Sequence, residues 1–546
     1  MRNLRIASAL VATLTTNLLA QEKTDDANIA KFRSEAVEHS QIMHTLHMLT
    51  DRYGPRMTGT PNHEAAAKWV VSEMTRWGMK NAHLEAWDFG RPGWLNDHAW
   101  AFITSPVKEN LHFEVLAWTA STNGAIAGST IQIERTPQGP EIPRSNNPGV
   151  GRGGRGGGPQ HYGPTQEQID EWVAANKDKI RGKFVMIGKA AVIPVDFNPP
   201  AKRRSDEEVR AQYEGGRGRG GRGSVPSDPR YLSNNKVEAI VDAMLVSAGA
   251  LGKINDAARG GGLIFAQQDH NYDPSKTVPT IIVRNDDYGR IERLLADGED
   301  VKVEMNIVNR IFPEGKTSYN VVGEIPGTDK AGEIVMLGGH LDSWHSGTGA
   351  TDNAAGSSIM LEAARLIQSL GLKPRRTIRV ALWSGEEEGL LGSLAYVAQH
   401  FGTAENPKPE WYRLDAYFNI DSGTGRPRGA GIFGPPAAAD VLRPVLVHFT
   451  DWGVFGASVT NSRATGGTDS TSFNNAGLPG VGFSQDPIEY GTMTHHSSLD
   501  TYERIIPDDV EKAAAVAAAC VWHVANREEM VPRFSKEQMP PYVKPQ

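Results

Sequence analysis

Short apolar runs, each stopping at a polar or charged residue, recur through the C-terminal half of the chain. Ile334 to Leu337, Thr377 to Trp383 and Asp415 to Ile420 each suit one buried strand, and segments of helical length separate them. Strands alternating with helices predict an α/β domain. From about Asn353 to Leu370, the residues Ile359, Ala363, Leu366, Ile367 and Leu370 share one helical face, and Gly371 supplies the stop. A last helix is predicted from about Asp508 to Val524, its Asp508, Asp509 and Glu511 suited to the positive end of the helix dipole. Cys520 on that helix reads as a small core residue.

Earlier in the chain the texture differs. Between Ile29 and Trp87, apolar residues including Trp69, Val70, Met74 and Trp77 recur at helical spacing before the pattern turns extended, which predicts an opening helical layer. Beyond it, β-rich runs such as Phe184 to Ile187 and Thr280 to Val283 alternate with helix-like segments such as Val237 to Leu251. We read residues 105–310 as an insert into a discontinuous host formed by 21–104 and 311–535. Two Gly/Arg tracts in the insert, 151–158 and 215–223, cannot bury a core and read as flexible surface loops.

Length and charge narrow the class. At 546 residues the chain exceeds a single average domain, and 39% hydrophobic residues with 12 Trp can fill a large core. A net charge of −7 speaks against a charge-driven nucleic-acid or membrane binder, the five arginines of the Gly/Arg tracts notwithstanding. Arg2 and Arg5 followed by the apolar stretch Ile6 to Ala20 read as a secretory signal, 1–20, cleaved after Ala20. The expected destination is secreted or periplasmic, with no membrane attachment after removal. One cysteine allows neither an internal disulfide nor a thiolate zinc cluster.

The candidate chemistry lies where the apolar runs end. In an open α/β sheet, ligands bind beyond the carboxyl ends of the strands. His340, Glu386, Glu387 and Asp421 all fall there, with Asp352 and His496 in loops nearby. Carboxylates and imidazoles bind borderline dications, and two-metal hydrolases hold a pair of them ~3.5–4 Å apart across a bridging carboxylate. The residues suit such a centre: His340 and Asp421 for one ion, Glu387 and His496 for the other, Asp352 shared. Glu386 is left free to serve as general base for a metal-bridged hydroxide. Asp342, two residues past His340, is placed to accept that histidine's other ring proton. The third acid, Glu388, is expected to face solvent.

Three segments carry a family resemblance. Gly338-Gly339-His340-Leu341-Asp342-Ser343, Gly349-Ala350-Thr351-Asp352-Asn353-Ala354-Ala355-Gly356 and Trp383-Ser384-Gly385-Glu386-Glu387-Glu388-Gly389-Leu390-Leu391-Gly392-Ser393 resemble the M28 family of metallopeptidases. Asn419 to Thr424, His495 to Thr501 and Tyr53 to Thr60 are similar to one subgroup of it. The resemblance implies a mixed central sheet flanked by helices, two zinc ions per chain on His340, Asp352, Glu387, Asp421 and His496, and Glu386 as base. It also implies that the insert is similar to a β-rich protease-associated domain. His345 stands where the subgroup leads us to expect an acid; it is read as a packing residue, with a spare-ligand role as the alternative. His496 is preferred to His495 as the ligand. Asp469 reads either as backing the site or as positioning substrate, and Tyr490 either as packing or as a hydroxyl donor to the tetrahedral intermediate. The expected activity is a zinc exopeptidase acting on short peptides with a free amino end, as aminopeptidase or dipeptidase. Two rivals are a single-zinc, glutaminyl-cyclase-like transferase and a catalytically inactive binding protein. Carboxypeptidase action, side-chain preference, the native metal and a homodimer stay open.

Overall fold

Four mutually parallel strands form the centre of the first of two eight-stranded sheets: Arg376–Trp383, Lys330–His340, Leu414–Asn419 and Gly480–Gln485, in that spatial order. Thr317–Ile325 and then Lys80–Asp88 extend it antiparallel on one side; Pro427–Phe433 and Ala457–Thr460 extend it on the other. The computed structural model describes residues 24–142, 161–195, 197, 202–214, 228–268, 270–464 and 467–542. The expected signal 1–20 and both Gly/Arg tracts lie outside the described residues. Among those described, no helix is long and apolar enough to cross a membrane.

Helices cover both faces because the central strands are apolar on both. One face carries Ala355–Ser369 and Pro507–Asn526, with Asp26–Glu38 and Pro61–Arg76 from the opening layer, all in one core around Val335, Leu337, Val380 and Phe418. The other packs Leu391–His400 and Ser470–Asn475 over Met336, Trp383 and Tyr417. The predicted helix after Asn353 begins at Ala355, behind a turn over Ala350–Ala354 in which Asp352 itself has an extended backbone (φ −129°, ψ 85°). The helix predicted over Val237 to Leu251 runs Asn234–Ala248, stopped by Gly249 in a left-handed conformation.

The insert builds a second eight-stranded sheet. Its strands begin at Gly93–Ser105 and end at Lys302–Phe312, a wider span than 105–310. Apolar residues of Gly93–Ser105 such as Trp94, Ala101 and Ile103 are buried in the insert's own core, and nothing in their spacing separates them from a host strand. That core also takes in Met57 and Trp344 of the host, so the two units share packing. At the junction Gly93 must be glycine, since a Cβ there would stand 1.9 Å from the Gly59 carbonyl oxygen.

His400, at the C-terminal end of its helix, lies between Glu85 (2.8 Å) and Glu410 (3.2 Å) and stacks on Tyr396. Burial pulls its pKa down from 6.5, but the hydrogen bonds to Glu410 and Glu85 outweigh it and hold it at about 9. A raised folded-state pKa stabilises fully below 6.5, and the contribution fades as pH rises through about 9. His400→Gln will therefore destabilise the protein by about 1 kcal/mol at pH 6 and by far less at pH 10, as thermal unfolding at both pH values will show.

Candidate metal centre

The parallel register fixes where the chemistry sits. His340 pairs with Trp383, and Gly338 with Asn419, so His340, the 384–387 turn and Asp421 leave the sheet at one edge. Helix Ala355–Ser369 brings Asp352 to the same edge. Ser357 Oγ donates to the His340 carbonyl (2.7 Å), Asn353 Nδ2 donates to the Ile420 carbonyl (2.9 Å), and the Gly356 N–H donates to Asn353 Oδ1 (3.0 Å). Gly356 permits this approach, because a Cβ would lie 2.3 Å from the Ile420 oxygen.

The six residues singled out as ligands and base converge. His340 Nε2 is 3.3 Å from Asp352 Oδ1, 3.6 Å from Asp421 Oδ1 and 4.0 Å from Glu386 Oε2. His496 Nε2 is 3.1 Å from Asp352 Oδ2 and 2.9 Å from Glu387 Oε2. Each oxygen of Asp352 thus faces a different imidazole, with Asp421 on one side and Glu387 on the other. His340 Nδ1 donates to the Asp342 carbonyl oxygen at 3.0 Å, which turns the buried Nε2 toward the carboxylates; burial would lower its pKa, but Glu386 and Asp421 hold it well above the usual range, so positive charge is favoured there. A bound cation can stand where those imidazolium protons would otherwise sit, and Glu387 Oε1 is buried without a hydrogen-bond partner. Imidazole and carboxylate donors in two lobes around one shared acid fit a pair of zinc-sized ions.

The electrostatics agree. Burial, opposed by His340 but aided by Asp421, Asp469 and Glu387, holds the Glu386 carboxyl well above its usual range. Burial and then Asp352 push Glu387 up to about 7, against the pull of His496. Burial would lower His496, yet Glu387 and Asp352 raise it to about 10. So many acids around two imidazoles form a site that attracts positive charge.

Two expectations are corrected, for Asp342 and Glu388, and the neighbouring residues find their places. Asp342 is fully buried, but its carboxylate stands 3.6 Å from His340 Nδ1, and its carbonyl takes the ring proton. The carboxylate instead accepts from Thr58 Oγ1 (3.1 Å) and the Glu387 N–H (3.2 Å), so it orients the ligand turn. Glu388 is only 8% exposed, not solvent-facing, and burial followed by the charge of Asp342 raises its pKa well above the usual range. His345 packs edge-on against Trp94 and bonds the Val115 carbonyl through Nε2 (2.7 Å), docking the insert and not ligating. His495 stacks on His496, and its Nε2 lies 3.7 Å from Asp352 Oδ2. Tyr490 Oη donates to Asp421 Oδ1 (3.1 Å), and Asp469 is wholly buried.

Three positioning residues were passed over by the sequence reading. Asp500 accepts from the Thr351 and Asp352 N–H groups and from Thr351 Oγ1, fixing the shared acid. Thr58 links Asp342 to the Gly385 N–H (2.8 Å). Arg56, fully buried, donates to the carbonyls of Leu341, Thr348 and Gly349, bracing the loop between His340 and Asp352. All three lie in the very segments that carry the family resemblance, which was their one available signal.

Comparison with known proteins places this centre. Residues 320–521 match peptidase family M28. Carboxypeptidase Q of Rattus norvegicus is 32% identical over 256 residues, covering 47% of this chain and 52% of that protein; the chain thus spans about half the length of the curated relatives it matches. A crystal structure of a peptidase M28 precursor from Shewanella amazonensis superposes with a TM-score of 0.63 at 23% identity, covering 95% of this chain and 100% of that one. The zinc aminopeptidase of Bacillus subtilis superposes at 0.54 with 17% identity, covering 91% and 98%. These two show a common fold. The match to peptidase family M28 over residues 320–521 takes in every one of the converging side chains.

Proposed function

We propose that the chain is a dinuclear zinc exopeptidase that hydrolyses short peptides with a free amino end. The observation that carries this reading is Asp352, whose two oxygens each address a separate histidine while Glu386 stands at the edge of the same cluster. His340 and Asp421 would hold one ion, Glu387 and His496 the other, with Asp352 shared. Bound zinc would supply Lewis acidity, polarising the scissile carbonyl and lowering the pKa of water toward ~7. Glu386 takes a proton from the attacking water and returns it to the departing amine. Tyr490, with its hydroxyl on Asp421, and the packed acids favour a cationic, amine-bearing substrate end.

The insert lies beside the site. The Ser498 N–H donates to the Ile264 carbonyl of the insert, and Trp344 packs edge-on against Trp118 beside the His345–Val115 contact. These contacts set the insert beside the His496 end of the cluster, where Trp344 packs edge-on against His496. Export by the leader belongs to the same reading. Profiling the zinc-loaded protein against peptides capped at either end tests it. Acetylating the amine will abolish cleavage. Internal cleavage of doubly capped peptides would exclude an exopeptidase, and pyroglutamate formation with one ion per chain would favour the cyclase-like alternative.

A further inference from the structure

One stretch of the insert's sequence leaves the insert in space. Residues 202–214, including helix Asp206–Glu214, bond to the peptidase sheet at the carboxyl end of Gly480–Gln485. Arg204 Nη2 donates to the Gln485 carbonyl (3.2 Å), and Tyr213 Oη donates to Ser484 Oγ (3.2 Å). The anchor is Asp486, 0% exposed. It accepts from the Arg204 N–H (3.2 Å) and Arg426 Nε (3.0 Å), with Arg428 Nε at 3.4 Å; Arg203 Nη1 bridges it at 3.7 Å to Asp509 Oδ2 of the last helix at 2.8 Å. Asp206 Oδ1 closes the network, 2.8 Å from both Arg426 Nη2 and Arg428 Nη1. Buried ion networks carry a heavy desolvation cost and are weak evidence of stability, so the interest of this one lies in the two distant segments that it joins.

One of the two is the loop leading to the metal centre. Ile488, two residues past Asp486, donates its N–H to the Lys202 carbonyl (3.1 Å) and has φ +38°, a left-handed conformation rarely adopted by a β-branched residue. Such a conformation persists only where its surroundings impose it. Two residues on is Tyr490, on Asp421; the loop ends at His496, also left-handed at φ +60°. We propose that Asp486 is a positioning residue of this site. With Arg203, Arg204 and Asp206 it clamps the 202–214 strap onto the 487–496 loop, holding Tyr490 against Asp421 and His496 against Asp352 and Glu387. This rests on the peptidase reading for its consequence, not for its geometry.

The test uses the full-length, zinc-loaded protein and two strap-side changes, the double variant Arg204→Ala/Asp206→Ala and the milder Arg203→Gln. Hydrogen exchange of the 487–496 amides will speed up by about tenfold in the double variant, while those of Gly480–Gln485 and Ala355–Ser369 keep wild-type rates. On a chromogenic aminoacyl substrate, kcat will fall about tenfold with KM within about twofold, because a displaced group costs rate more than binding. A chelator will remove one ion faster than the other. Arg203→Gln will move each reading the same way by less. Wild-type loop exchange and kcat in both variants would overturn the proposal, as would a uniform rise in exchange across the protein, which would make the clamp a stability element. Absence of turnover in the wild type would sink the peptidase reading while the exchange data still decide the clamp.

Discussion

Glu386→Gln will leave two zinc ions per chain and lower kcat for peptide hydrolysis by about 10³-fold or more. The side chain is largely buried, and its Oε2 stands 4.0 Å from His340 Nε2, farther than Asp352 or Asp421. Glutamine keeps the size and shape, so the fold and the donor set survive, but an amide cannot take a proton from water and deliver it to an amine. General acid–base catalysis is worth ~10²–10⁴ in rate, and both proton transfers depend here on one group. Elemental analysis and steady-state kinetics on the same preparation decide the matter. Undiminished turnover would remove Glu386 as the base, and loss of one ion would make it a ligand, a role its place beside His340 and Asp421 would also permit.

Asp352→Ala will have the opposite signature: little or no zinc retained at either position, with activity lost because the metal is lost. Both imidazoles lean on this one carboxylate, and Asp500 and Thr351 are arranged around its backbone to hold it there. Removing even an outer partner of a ligand lowers metal affinity by ~10–100-fold, so losing a ligand common to both ions will exceed that. Titration with zinc against a competing chelator measures the change. Retention of one tightly held ion would show that Asp352 serves one side only and would break the two-lobed assignment.

The sequence made the converging side chains legible because parallel strands translate position directly into place. A residue just past an apolar run lies at the carboxyl edge, so His340, Glu386, Glu387 and Asp421 could be put together without coordinates. Finer contacts obeyed a different logic. Whether His340 meets the carboxylate or the carbonyl of Asp342 depends on a few tenths of an ångström of loop geometry, and the carbonyl is closer. Glu388 looked like part of a solvated charge run, yet it is buried beside Thr58, Asp342 and Arg91. The strap was the least legible element of all. Arg203-Arg204-Ser205-Asp206 reads as an ordinary charged surface stretch, and only the fold shows its charges matched to Asp486, Arg426 and Arg428.

The ends of the insert lie side by side: Gly93 pairs with Phe312, while in the host Asp88 pairs with Thr317. On the ribosome the guest module is synthesised whole before most of its host sheet has emerged. Once its own strands zip, Lys80–Asp88 is delivered next to Thr317–Ile325 across a tight junction, sparing the chain the entropy of closing a loop that long. A module that looks like an interruption of the sequence thus joins two host strands as a hinge pin would, at little cost in closure entropy to the sheet it interrupts.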